Sequence, residues 1–240
     1  MRRRGMFLVL LGLLHLACGG TRQALEHPLT NELDPTFGQR SYRTLAALPF
    51  GTDVAEDEDP DQVAAGMVES KFYPALNAAT GYTLLPANEV GRVVEQAALQ
   101  ERLQRFYSKW ISDQSDVDKE FIREVAKLLR ADAVVCGAVD LWHQDEVDMM
   151  DTGAARTHVG LLLGLFDGVT GRRLWLGRDA NFKDGIRYPG PDEANRRELQ
   201  RQLERTNKRT VGGVYAPPDF SQVVDLVVQA LVGAFPASAP

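Results

Sequence analysis

Ala131-Asp132-Ala133-Val134-Val135-Cys136-Gly137-Ala138-Val139-Asp140-Leu141-Trp142 decides the fold of this chain. Val134, Val135, Cys136, Ala138 and Val139 are apolar on consecutive positions rather than alternate ones. A strand covered on both faces reads this way. Gly137 and the β-branched valines weigh against a helix. The stretch is predicted as the central strand of a sheet with helical covers.

Upstream, residues 41–50 read as a first strand that Pro49 ends. Residues 62–79 form a helix, with Val68, Phe72 and Leu76 every four positions and Gly81 as its stop. Residues 82–86 are a second short strand. Asn88 caps a helix running to about residue 107, and Ser115 with Asp118 resembles a capping box opening a helix over 117–130. Downstream, residues 143–151 are polar and acidic, hence a loop. Strands at 156–167 and 172–183 are joined by the hairpin Asp167-Gly168-Val169-Thr170-Gly171. Gly160 and Gly164 mark a bulge or the close approach of a covering helix. Residues 192–209 carry mixed charge with a thin edge of Leu199 and Leu203, a solvated helix with intrahelical pairing. Residues 217–235 form the last helix. The order β-α-β-α-α-β-β-β-(α)-α gives a single α/β domain over 41–235, with a mixed sheet of about five strands covered by helices. Residues 236–240 are a disordered tail.

The amino terminus defines the compartment. Arg2, Arg3 and Arg4 precede an apolar run at 6–16, of signal-peptide length and too short to span a bilayer. It ends in His15-Leu16-Ala17-Cys18-Gly19, which resembles a bacterial lipobox, although His15 stands where such boxes carry an aliphatic residue. Residues 1–17 are therefore a signal peptide, and Cys18 becomes a lipidated first residue. The alternative is ordinary signal cleavage that leaves Cys18 free. Gly19, rather than Asp, after the cysteine is compatible with outer-membrane sorting. Residues 18–40 read as the lipidated cysteine and a flexible tether, punctuated by Gly19, Gly20, Pro28, Pro35 and Gly38. Cys136 is then unpaired inside an apolar strand, where a thiol packs as a small hydrophobe.

The formal charge of −6 over 240 residues argues against nucleic acid as a partner. Phosphate-cradling loops, G-x-S-x-G and H-E-x-x-H are absent from the sequence. No cofactor is expected. Asp57, Asp59 and Asp61 have the opening spacing of a calcium loop, but Gln62 replaces its glycine and Val68 its closing glutamate. The best metal or acid–base cluster is His143 with Asp145 and Asp148, for which a mobile acidic loop is the plainer reading. His158 reads as a strand surface residue.

Four segments in order resemble the family containing the TolB amino-terminal domain and the lipoproteins CsgG and LpoB. They are Leu45-Ala46-Ala47-Leu48-Pro49-Phe50, the stretch Tyr82-Thr83-Leu84-Leu85-Pro86-Ala87-Asn88-Glu89-Val90, the run from Val125 through Ala131-Asp132 to Gly137, and Leu165-Phe166-Asp167-Gly168-Val169-Thr170-Gly171-Arg172-Arg173-Leu174-Trp175. The resemblance covers about residues 42–183. It implies a periplasmic module that binds other proteins, with no catalytic residues to carry over. The expected protein is thus a non-enzymatic lipoprotein of the outer membrane, held by lipid on Cys18 and meeting an envelope protein partner. Alternatives are a homo-oligomeric export subunit, for which the 143–155 loop is too short to form a membrane hairpin, and a metal-dependent hydrolase using the His143 loop.

Overall fold

The computed structural model of the chain describes residues 29–115, 117–147, 153–188 and 216–237. Among them are the strands β1 (Thr30–Leu33), β2 (Thr44–Ala47), β3 (Gly51–Thr52), β4 (Thr83–Leu84), β5 (Ala133–Asp145), β6 (Gly153–Asp167) and β7 (Arg173–Tyr188). The helices are α1 (Ala64–Ala79), α2 (Ala87–Gln96), α3 (Gln100–Ser112), α4 (Lys119–Leu129) and α5 (Phe220–Ala234). The sheet order is β1-β7-β6-β5-β2-β4, with β3 also on β5. β2 and β3 run parallel to β5, whereas β6 and β7 return antiparallel. The α/β domain with a mixed sheet is as the sequence predicts, and β5 is its central strand. The sheet has seven strands rather than about five, because β1 and β3 escape the sequence pattern.

Alternation along β5 explains why its apolar residues are consecutive. Ala133, Val135 and Val139 face α1 and α5 in one apolar cluster, and Val134, Cys136 and Ala138 face α2, α3 and α4 in the other. All six are fully buried. At the start of the strand, the Asp132 carboxylate accepts hydrogen bonds from Arg43 N and Thr44 N, both at 2.9 Å, and its carbonyl accepts from Gly168 N at 2.9 Å. One residue thereby ties β2, β5 and the β6–β7 hairpin together.

Several local expectations shift. Thr30–Leu33, within the stretch predicted as tether, pairs antiparallel with Trp175 to Arg178 of β7. The helix predicted from Asn88 is two helices broken at 97–99, where Ala98 takes φ of 53°. Asn88 lies inside α2, whose N-cap is Pro86 with no side-chain bond. Asp118, not Ser115, caps α4, accepting from Phe121 N at 2.8 Å. The 143–151 loop is shorter than predicted, because β5 runs on to Asp145 and β6 starts at Gly153. Residues 192–209 lie outside the described residues, as do 238–240 of the tail.

Both readings of the β6 glycines are realised. Asp140 is the extra residue where the β5–β6 register slips between Val139 and Leu141. A Cβ on Gly160 would meet its Oδ1 at 2.6 Å, so only glycine fits opposite this bulge. A Cβ on Gly164 would come within 2.8 Å of the Trp110 indole of α3.

α4 ends in a Schellman motif. Ala131 N donates to Ala126 O at 2.9 Å, and Arg130 N to Lys127 O at 3.3 Å. This forces Arg130 to φ 53°, ψ 38°, a conformation that penalises any residue with a Cβ. Arg130→Gly is expected to raise stability by about 0.5–1 kcal/mol, the left-handed penalty less part of the flexibility gained by the unfolded chain. Urea unfolding at neutral pH measures it.

Candidate functional site

On the α2–α4 face, the buried apolar cluster reaches Ala138, Leu162 and Leu176 on the three long strands. Beyond it, register places two polar rows on that face. His143 of β5 stands opposite His158 of β6, which stands opposite Phe182 of β7. Asp145, Arg156 and Asp184 form the second row. The ring centroids of His143 and His158 are 6.2 Å apart, and those of His158 and Phe182 5.9 Å. The Arg156 guanidinium lies 4.0 Å over the Phe182 ring and pairs with Asp184 at 2.6 Å.

Asp145 joins the two histidines. Its Oδ1 is 3.0 Å from His143 Nε2 and its Oδ2 is 2.8 Å from His158 Nε2. The other nitrogen of His143, Nδ1, lies 2.9 Å from Glu58 Oε1 in the loop between β3 and α1. Burial would push the Asp145 carboxyl up, but hydrogen bonds from His158 and His143 outweigh it and hold it below its usual range.

Of the residues singled out from the sequence, His143 and Asp145 are thus brought together, while Asp148 and Cys18 lie outside the described residues. His158 and Glu58 complete the cluster. His158, read as a surface position, has a side chain only 13% exposed. Its cue was the alternation of Gln144 and Thr157 with the histidines, which extends both strands past the polar boundary. Among the described residues, no group of three or more His, Cys, Asp or Glu is arranged to hold a metal ion. Of the acidic triplet at 57–61, Asp59 caps α1, accepting from Val63 N at 2.9 Å and Ala64 N at 3.1 Å. Cys136 is a free, fully buried thiol whose ionisation burial opposes strongly. Trp142 packs against Phe220 of α5, with ring centroids 4.0 Å apart, and Trp175 against Phe235 at 5.0 Å.

The Asp167 hairpin also has a structural explanation. Its buried carboxylate accepts from Tyr42 Oη at 2.8 Å, Arg40 Nη1 at 2.9 Å, Val169 N at 2.9 Å and Thr170 N at 2.6 Å. Asp132 and Asp167, both within the segments that carry the family resemblance, therefore serve the fold.

The outer edge of β7 is open over most of its length among the described residues. β1 covers it only from Trp175 to Arg178, while β7 runs on to Tyr188.

The fold defines a three-layer domain, a mixed sheet between a pair and a trio of helices. No protein-family model matches the chain, nor does any curated protein. Among solved structures it is similar to the lipoprotein GNA1162 from Neisseria meningitidis, at 18% identity and a TM-score of 0.43, over 68% of this chain and 99% of that one. It is similar to the PelC dodecamer from Paraburkholderia phytofirmans, at 13% identity and a TM-score of 0.44, over 88% of this chain and 99% of that one. The LpoB C-terminal domain from Escherichia coli follows at 15% identity and a TM-score of 0.37, over 59% of this chain and 83% of that one. At such identities and scores these likenesses carry no partner, activity or assembly across to this chain.

Proposed function

We propose that this chain is a lipoprotein of the bacterial envelope, anchored to the outer membrane through Cys18, whose domain binds a periplasmic protein partner without catalysing a reaction. The observation that carries the reading is the amino terminus. A basic and apolar leader ends at Ala17-Cys18, and a folded strand begins at Thr30. Eleven residues separate Cys18 from Thr30. A segment of that length can reach at most about 40 Å when fully extended, which would hold the domain close to the lipid surface. Two or three acyl chains on one cysteine give stable anchoring, whereas a single chain does not. Among the described residues β1 pairs only with Trp175 to Arg178 of β7, and this suits the second half of the reading, because an extended segment of a partner can add to a strand edge by main-chain hydrogen bonds.

The test is membrane partition in the native host. The wild-type chain is expected in the outer-membrane fraction and Cys18→Ala in the soluble fraction. Equal partition of the two would reject the anchor.

A further inference from the structure

We propose that Glu58, His143, Asp145 and His158 form an acid-tightened latch, which holds the 53–61 loop against the β5–β6–β7 ribbon when the histidines are protonated and loosens when they are neutral. The inference concerns described residues alone and does not depend on the lipid anchor.

The geometry carries it. Both ring nitrogens of His143 face carboxylate oxygens, Glu58 Oε1 at 2.9 Å and Asp145 Oδ1 at 3.0 Å. An ionised carboxylate only accepts hydrogen bonds, and a neutral imidazole has one N–H and one lone pair. Neutral His143 can therefore satisfy one of the two contacts, and the other sets a lone pair against an anion. Imidazolium donates to both, and each bond is then charge-assisted. Asp145 also takes its second bond from His158 Nε2 at 2.8 Å, so one carboxylate lies between two imidazole rings. Directly opposed histidines would repel when both are charged, and Asp145 between them offsets that repulsion.

The surrounding charges favour the same direction. Asp140 and Asp145 of β5, Glu146 after it, Asp184 of β7 and Asp53, Glu56, Asp57, Glu58, Asp59 and Asp61 of the loop are acids of this region. Arg156 of β6 and Arg178 of β7 are its cations, paired with Asp184 and Asp140. With neutral histidines the carboxylates outnumber the two guanidinium groups, and two imidazolium charges reduce that excess. Histidine is the side chain whose charge changes between about pH 5 and 8. Glu58 is the loop's contact to the ribbon side chains, while Asp59 beside it is fixed to α1. Loosening at Glu58 therefore frees residues 55–58, between the Asp53 N bond to Val139 O of β5 at 3.1 Å and the Asp59 carboxylate at the start of α1.

Hydrogen exchange on the mature chain tests this at pH 5.5 and 7.5, with rates corrected for intrinsic pH dependence. Amide protection over residues 55–58 is expected to rise about two- to fivefold at the lower pH, the range of a partly exposed ion pair. His143→Gln is expected to abolish that difference and leave protection of β5 unchanged. Glu58→Gln, on an exposed loop where folding is not at stake, is expected to do the same. Equal protection of the wild-type loop at the two pH values, or a pH response that survives in Glu58→Gln, would overturn the latch.

Discussion

Trp110→Ala is expected to cost about 4 kcal/mol of stability, read as a lower midpoint in urea with an unchanged slope. The indole of Trp110 is completely buried on the α2–α4 side of the sheet. It stacks on Phe106 at 5.8 Å, meets Phe166 edge-on at 5.8 Å and lies over Gly164 of β6. Truncation removes the largest side chain of that cluster and leaves a void that rigid strands and an aromatic neighbourhood cannot close. Among the described residues Trp110 Nε1 has no hydrogen-bond partner, so removing the indole N–H carries no hydrogen-bond loss there. Trp110→Phe is therefore expected to cost far less, about 1–2 kcal/mol. The contact with Gly164 adds a coupling test. Gly164→Ala is expected to destabilise the wild type but to cost measurably less beside Trp110→Ala, because part of its clash is with the missing ring.

Asp167→Ala is expected to cost about 3 kcal/mol. The change strands the buried Tyr42 hydroxyl and the amides of Val169 and Thr170, whose bonds fix the β6–β7 hairpin. The Arg40 contact adds little to this figure, because that side chain is 46% exposed and screened by water. Asp167→Asn keeps an acceptor for the hairpin amides but no charge, and about half the loss is expected. Burial would raise the Asp167 carboxyl, but the bonds from Thr170 and Tyr42 outweigh it and hold it below its usual range. A carboxyl depressed in the folded state stabilises fully above the unfolded value, near pH 4, and loses that contribution as pH falls through the folded value. The stability difference between wild type and Asp167→Ala is therefore expected to be flat from pH 5 to 7 and to shrink below about pH 4. Acid titration of urea midpoints measures it.

What the sequence made legible follows from how strongly burial constrains each element. The apolar run at 133–139 had to be a strand covered twice, and it is β5, with successive residues in two separate cores. α1, α4 and α5 follow from apolar periodicity, and the Asp167 turn from its glycines. The extension of β5 through His143, Gln144 and Asp145 did not show, because those residues are held by side-chain hydrogen bonds in place of an apolar core. The same reason hid the cluster. Its members come from a loop and two strands, and Glu58 and His143 are 85 positions apart. β1 is exposed at every residue, so no hydrophobic pattern announced it. The break between α2 and α3 rests on Ala98 in a left-handed conformation, without the glycine that would have signalled it.

Arg130 gives a related lesson. A Schellman motif calls for a left-handed residue at this position, which glycine adopts without penalty. Here the chain keeps the motif and bears the strain, and Asp132 two residues later supplies the bonds that hold β2 against β5.

The proposal that the domain is lipid-anchored at Cys18 is tested most directly by the intact mass of the mature protein from native membranes, with its amino-terminal peptide. The expected result is a chain starting at Cys18 that carries a thioether-linked diacylglyceryl group. A mature chain with Cys18 unmodified, or one starting at another residue, would contradict it.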